Sequence, residues 1–409
     1  MSGYKELIKA KFNELRFEKT HSDNKRIRIL FDYWLENFLI LNEHNNVPPY
    51  QCLHLEEWYL KKNIQKKQKK FFLIKRFIKM LLSFLPQNNK LFLYTKRKRP
   101  GFLEGIQVIS FSEKLKKLKL NFNKDNKKHF LEDIKKIIPS ELHLNLSKAL
   151  PDFFFFEEFS IDSLPNEIYL AHGHILQYPW NLLALVKNRI RIIGIQHGGN
   201  YGEFKMNSYQ IFEESYCDEF YFWGLGNKNT QQQRFKEGFN NKLVVKNAYI
   251  LDFYGSIFAQ KHIGGFNQIN LDLKNFKIYR KLEKEFGQLS HLVHPKEKQA
   301  DDNSKILLDK MSKEEQRNSI ILIPYPGSTV FYKCVYEDIP FVMYLNHEWK
   351  KYFTDNYLEL LCLLEEEKKL FWWHEEEELA KYLKNLYLSS KPNHKLSNKN
   401  IKDYLEKRL

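Results

Sequence analysis

A histidine set among closely spaced glycines is the segment of this chain best suited to chemistry. Its members are Gln196, His197, Gly198, Gly199, Gly202 and Glu203. An imidazole accepts a proton near neutral pH, and glycine lets the backbone approach a ligand closely. The segment therefore predicts a site with a general base, His197, and with Glu203 as an alternative base or as its orienting partner. The alternative is a tight glycine turn whose histidine only hydrogen-bonds the backbone.

The elements before this loop explain how it would be positioned. Residues 190–195 are isoleucine-rich and predict a buried parallel strand, and ligands bind where such strands end. A second strand candidate, residues 168–171, is followed by His172 and His174. The spacing between the two His-Gly pairs suits a strand–helix–strand unit, so the loops are expected side by side, which makes His172 and His174 further candidate site residues.

The second half of the chain holds two further candidate groups. Residues 291–296 predict a short strand ending at His294, because the following proline cannot continue a central ladder, and Lys296 comes next. Residues 320–323 predict another strand, after which Tyr325, Gly327, Ser328 and Thr329 lead into a helix over 330–336. A helix N-terminus preceded by glycine is suited to binding phosphate, and the alternative is an ordinary Ser/Thr-capped helix.

Length and composition set limits on the class of protein. With 409 residues, of which 43% are hydrophobic and 15% aromatic, the chain is expected to form two folded domains. The 66 Lys and Arg residues exceed the 50 Asp and Glu residues by 16, and such a surplus favours polyanionic partners. Four scattered cysteines predict neither disulfides nor a zinc site, and with no apolar leader or spanning segment we expect a cytoplasmic protein.

The most biased segment is a basic insertion at about residues 56–90. Within it, Lys61–Leu85 opens with a lysine run and continues as a helix with basic residues on one side and bulky apolar residues on the other. Such a helix can lie on an anionic membrane, here the inner face of the cytoplasmic membrane. The alternative is a core helix preceded by a solvated lysine run.

Aromatic and β-branched runs supply the remaining expectations. Residues 91–94, 105–111, 220–224 and 339–344 predict strands. The aromatic runs at 153–156 and 371–373 predict core packing, with stacking against nucleic acid or an acceptor sugar as the respective alternatives.

Together these motifs resemble the GT-B glycosyltransferases of bacterial surface-polysaccharide assembly. The likeness rests on four parts, roughly within residues 165–375: Ile195–Gly202, Cys217-Asp218 with Phe222–Gly224, Tyr325–Thr329, and Ile339-Pro340. The related enzymes are O-antigen and capsule transferases, Kdo and sialyl transferases and CDP-glycerol glycerophosphotransferases. The resemblance implies an α/β, GT-B-like protein with two Rossmann-like domains whose parallel sheets face a central cleft. The expected ranges are 1–240 for the acceptor side, 241–390 for the donor side and 391–409 for a tail that crosses back to the first domain.

The same resemblance implies roles for the candidate residues, with His172 and His174 on the acceptor side. His197 matches the N-domain histidine that is the general base in the glycerophosphotransferase relatives. His294 and Lys296 would meet the nucleotide or phosphate of the donor, and Ser328 and Thr329 would hold its phosphates.

The predicted function is transfer of a sugar from a nucleotide-activated donor, CMP-linked as for Kdo or another nonulosonate, to a surface glycan or lipid-linked acceptor. The nucleotide is a substrate and no cofactor is expected. Because the strand-end loops lack an Asp-x-Asp pair, no obligatory metal is expected either. The alternatives are a CDP-glycerol-type glycerophosphotransferase, a non-catalytic relative, and a basic protein that binds nucleic acid without specificity.

Overall fold

The computed structural model describes most of the chain in two units. The described residues are 2–18, 24–49, 51–55, 90–93, 102–161, 164–170, 172–187, 190–196, 198–222, 224–225, 245–251, 281–282, 284, 290–292, 305–306, 308, 311–388 and 397–407. Contacts within the chain group Met1–Ile195 with Tyr209–Phe220, and Gln196–Ser208 with Tyr221–Leu409. The predicted boundary at 240/241 and the Lys61–Leu85 helix lie outside the described residues, so the domain ranges and the membrane helix stay predictions.

The first unit combines helices with a parallel sheet of four described strands in the order β1-β2-β3-β4. The strands are β1 (Lys90–Phe92), β2 (Glu167–Leu170), β3 (Arg191–Ile195) and β4 (Glu219–Tyr221). The helices are α1 (Ser2–Asn13), α2 (Lys25–Glu43), α3 (Phe102–Lys116), α4 (Lys124–Lys135), α5 (Ser140–Ala149), α6 (His172–Ile175) and α7 (Ser208–Tyr216). Short π- and 3-10 segments occupy Glu14–Glu18, Asp152–Phe155 and Trp180–Leu185.

An aromatic cluster forms much of the first unit's helical core. The rings of Phe12 and Phe31 stack with centroids 3.7 Å apart, and Phe154 meets Phe31 edge-on at 5.1 Å. Helix α2 brings Phe31 and Trp34 to this core, and it begins where the side chain of Asn24 accepts a hydrogen bond from the Ile27 N–H. The aromatic run at 153–156 is thus core packing, as predicted.

The second unit contains a parallel sheet of six described strands. They are β5 (Asn247–Leu251), β6 (Ser290–Leu292), β7 (Lys305–Ile306), β8 (Ser319–Ile323), β9 (Phe341–Leu345) and β10 (Leu370–Trp372). The helices are α8 (Lys313–Arg317), α9 (Thr329–Glu337), α10 (Asp355–Glu366), α11 (Glu376–Leu388) and α12 (Lys399–Lys407), with a 3-10 segment at His347–Tyr352.

The strand order in this sheet is β10-β9-β8-β5-β6-β7, and each neighbouring pair is parallel. Numbered along the chain, this is the order 3-2-1-4-5-6 of a doubly wound nucleotide-binding fold. The direction of winding reverses between β5 and β8, and ligands bind outside the carboxyl ends of the strands at such a switch point. The turn that begins after Ile323 of β8 therefore lies at the expected ligand edge of this sheet.

Alternation along β8 explains why helices cover both faces. Ile321 and Ile323 join the core under α9, α10 and α12, whereas Ile320 and Leu322 join the core under α11. All five residues of β8 are buried, which is the pattern of a central strand of a parallel sheet. The predicted strand over 320–323 is confirmed with its flanking helix.

The α/β class is confirmed, and the two parallel sheets are compatible with two Rossmann-like domains; the GT-B arrangement stays a prediction. The strand predicted over 105–111 is wrong, because these residues lie in α3, where Phe111 and Leu115 are buried four residues apart on one helical face. The prediction that the C-terminal tail crosses back to the first domain does not hold for its helix α12. Ile401 and Leu405 of α12 are buried in the core of the second unit.

Candidate functional site

The glycine loop, here residues 196–208, is grouped with the second unit although the sequence assigns it to the first half. Phe204 anchors it, because its side chain lies in the second unit's core and its backbone pairs with Phe353 in an antiparallel bridge. Thr354 adds two hydrogen bonds, from its N–H to the Glu203 carbonyl (2.9 Å) and from its Oγ1 to the Gly202 carbonyl (2.6 Å). The loop is therefore fastened to the start of α10.

The loop also contacts the turn that follows β8. The Gly199 N–H donates to Thr329 Oγ1 at 3.1 Å, and a Cβ on Gly199 would overlap the carbonyl of Gly327. Gly327 has a φ of +78°, and a Cβ there would overlap Asn200 Oδ1. Gly199 is required because the two backbone segments approach each other too closely for a side chain, and Gly327 because of its positive φ and its contact with the Asn200 side chain. The glycine loop and the 327–329 turn, which the sequence predicts as parts of one site, thus contact each other directly.

The side chain of Glu203 links the glycine loop to the 327–329 turn. Its side chain is only 1% exposed. Oε2 accepts a hydrogen bond from the Gly327 N–H at 2.7 Å, and Oε1 accepts from the Tyr332 hydroxyl at 2.9 Å and from the Asn200 N–H at 3.3 Å. A buried carboxylate is stable only with such partners. Glu203 was predicted as catalytic; in the structure both oxygens bind groups of the protein, which is the geometry of a clasp.

Burial raises the pKa of Glu203 to about 7. The hydroxyls of Tyr332 and Tyr357 and the N–H groups of Gly327 and Asn200 oppose this rise, because they stabilise the ionised form. The pKa values of Tyr332 and Tyr357 are raised well above the usual range by burial and by the nearby carboxylate. The tyrosines are therefore neutral donors at physiological pH, and Glu203 is the group that titrates.

The N-terminus of α9 supplies the polar groups at the sheet edge. Ser328 is the N-cap, and its Oγ accepts from the Val330 N–H at 3.1 Å. Thr329 Oγ1 accepts from Gly199, and a hydroxyl that accepts still carries its own donor. Tyr325 is partly buried against the core beside the turn. The Ser/Thr-capped helix and the anion-binding helix start were alternatives in the sequence, and the capping is confirmed.

Gly198 differs from the other glycines of the loop. A Cβ at Gly198 would have no described atom within 4 Å, and its φ is not in the left-handed region, unlike the +74° of Gly202. Gln196 is buried and donates from Nε2 to the Gly198 carbonyl at 2.6 Å. Nothing in the packing of the described residues requires a glycine at 198, and there is open space at this position.

The other predicted site residues fall in two groups. His197, His294 and Lys296 lie outside the described residues. His172 and His174 lie in α6 of the first unit, and His174 is half-buried.

Sequence reasoning missed Tyr332, which donates to Glu203, Tyr357, whose hydroxyl influences the pKa of Glu203, and Thr354, which holds the loop backbone. Only Thr354 carries a local signal, because it is the N-cap of α10 and accepts from the Tyr357 N–H.

Within the described residues, no group of three or more His, Cys, Asp or Glu side chains is placed to hold a metal ion. None of their helices combines the length and apolar character needed to cross a bilayer.

Comparison with known proteins identifies a family. A family model described as LIC12162 family transferase matches residues 12–251, which is more than half of the chain. The match includes the glycine loop and ends with β5, before the 327–329 turn. No curated protein and no solved structure matches the chain. On this evidence the chain belongs to the LIC12162 family of transferases.

Proposed function

We propose that this transferase is a glycosyltransferase that moves a sugar from a nucleotide-activated donor to a surface glycan or lipid-linked acceptor. The observation that carries the proposal is the docking of the glycine loop on the 327–329 turn, at the carboxyl edge of a doubly wound sheet, with open space at Gly198. The second unit thereby combines the strand order of a nucleotide-binding sheet with a helix N-terminus and the glycine loop.

The reaction would use these groups as follows. The acceptor hydroxyl attacks the anomeric carbon of the donor while the bond from that carbon to the phosphate oxygen breaks. His197 takes the hydroxyl proton, and the nucleotide leaves as a phosphate anion. The N–H groups at the start of α9 and the hydroxyl of Thr329 stabilise the negative charge on that phosphate, assisted by Lys296 and His294. In this scheme Glu203 positions the loop and does not touch the substrate.

The donor is proposed to be CMP-linked, such as Kdo or another nonulosonate, and the test begins with nucleotide binding. Melting temperature would be measured with CMP, CDP, UDP and GDP, because a ligand that binds only the native state raises it. We expect CMP to give the largest rise. A melting temperature unchanged by any of the four at millimolar concentration would refute a nucleotide-activated donor.

Turnover of CMP- and CDP-linked donors would then test the base. We expect the His197→Ala variant to lose at least about 100-fold in kcat, the lower end of what a general base contributes. The matched control is His129→Ala, which removes an exposed histidine on α4. Full turnover by the His197→Ala variant would exclude His197 as the base. Transfer of glycerol phosphate from a CDP-glycerol donor would instead identify the glycerophosphotransferase alternative.

A further inference from the structure

The carboxyl of Glu203 is enclosed by hydrogen-bond donors from three separate pieces of the second unit. Asn200 belongs to the glycine loop, Gly327 to the turn after β8, and Tyr332 to α9. The shortest of these hydrogen bonds is 2.7 Å long and comes from the Gly327 N–H. A carboxyl group keeps acceptor capacity whether it is ionised or protonated, so its two oxygens can join the loop and the turn in both states.

We propose that Glu203 is a positioning residue whose protonation state controls how firmly the glycine loop is held on the 327–329 turn. The proposal rests on the proposed function only in assigning this loop to the active site. Holding the loop fixes the backbone of Gly198 and Gly199.

The direction of the pH effect follows from the burial of the carboxyl. When the loop is docked, the pKa of Glu203 is about 7; when the loop lifts away, the carboxyl is hydrated and returns to its usual value of 4.5. The docked state therefore binds the proton more tightly, so docking is firmest below pH 4.5 and weakens as the pH rises to 7. Among the described residues, the titratable groups facing Glu203 are Tyr332 on α9 and Tyr357 on α10, and both stay neutral in this range.

The size of the effect follows from the same two values. Linkage gives a shift in the ratio of docked to undocked loop of about 70-fold between pH 5 and pH 8. Amide hydrogen exchange of the peptide covering residues 198–208, corrected for the intrinsic exchange rate, measures this ratio without any nucleotide. We expect protection of the wild-type loop to fall by this factor over that range.

Three variants make the test specific. Glu203→Gln keeps the shape of the side chain and should abolish the pH dependence of loop protection. Tyr332→Phe removes a donor that favours the ionised form, so the midpoint of the transition should move to higher pH. Glu214→Gln, at an exposed position on α7, is the matched control and should behave like the wild type.

The outcomes separate this proposal from the proposed function. Loop protection in wild type that is unchanged between pH 5 and pH 8, or is the same in wild type and Glu203→Gln at both pH values, would overturn the positioning role. A loop that responds as expected in a protein that binds no nucleotide would leave the clasp standing and remove the glycosyltransferase proposal. A purely structural role for Glu203 would lower the stability of Tyr332→Phe without moving the pH midpoint.

Discussion

Replacing Gly199 by alanine should break the contact between the glycine loop and the 327–329 turn. A Cβ at this position would overlap the backbone carbonyl of Gly327, which cannot rotate away as a flexible side chain would. Either the loop or the turn must move, and the hydrogen bond from the Gly199 N–H to Thr329 Oγ1 is then lost or lengthened.

The magnitude can be worked from these two terms. Overpacking costs about 1–3 kcal/mol and a lost neutral hydrogen bond about 1 kcal/mol, so the free energy of unfolding should fall by about 3 kcal/mol. For a domain of this size about 1 kcal/mol moves the melting temperature by 2–4 °C, which gives a decrease of roughly 6–12 °C.

Gly198→Ala is the matched control for the melting experiment. It makes the same change one residue away, where a Cβ would meet nothing within 4 Å. Both variants share the entropic stabilisation that alanine brings by restricting the unfolded chain, so the difference between them isolates the folded contact. Thermal melting followed by circular dichroism should place Gly198→Ala about 1–4 °C above the wild type, because this stabilisation is about 0.4–1 kcal/mol. Equal melting temperatures for the two variants would refute the docking of the loop on the turn.

Three further changes probe the surroundings of the site. Thr354→Val removes the N-cap of α10 and the hydrogen bond to the Gly202 carbonyl, and urea denaturation should show a loss of about 2 kcal/mol. Asn398→Ala removes the buried hydrogen bonds that its side chain makes with the Cys334 and Ile339 carbonyls and with Lys369, so limited proteolysis should release α12 faster than in the wild type. Burial lowers the pKa of Lys369 to about 8. The free energy of unfolding of the wild type, measured by urea denaturation, should therefore rise relative to that of a Lys369→Met variant between pH 8 and 10.5, by up to about 1.4 kcal/mol per pH unit. A difference that does not change with pH would contradict this.

Much of this candidate site could be predicted from the sequence, because strand ends and glycine spacing are local signals. The buried isoleucines of β8 and the Gly-Ser-Thr turn predict a parallel strand followed by a capped helix, and both were found. The same logic placed the glycine loop after β3. What the pattern could not show is why Gly199 and Gly327 are glycines, since Gly199 is required by the Gly327 carbonyl and Gly327 by the Asn200 side chain, across a long stretch of chain.

The burial of Glu203 was not readable for the same reason. The sequence shows a glutamate just after a histidine–glycine loop, and its burial depends on Tyr332 and Tyr357, which come from two distant helices. The strand predicted over 105–111 failed differently. Its Ile, Val and Phe residues favour a strand locally, but the burial of Phe111 with Leu115 makes one face of a helix more stable.

The path of the chain has a practical consequence for dissecting this protein. The backbone enters the second unit at Gln196, leaves it after Ser208 and returns at Tyr221. A recombinant fragment starting at Tyr221 would lack Phe204 from its core and would leave the Gly327 N–H without the carboxylate that it binds. Isolation of this half by simple truncation should therefore yield an insoluble or poorly ordered product. A fragment of the second unit should therefore include residues 196–208, joined to its start at Tyr221 through a short linker.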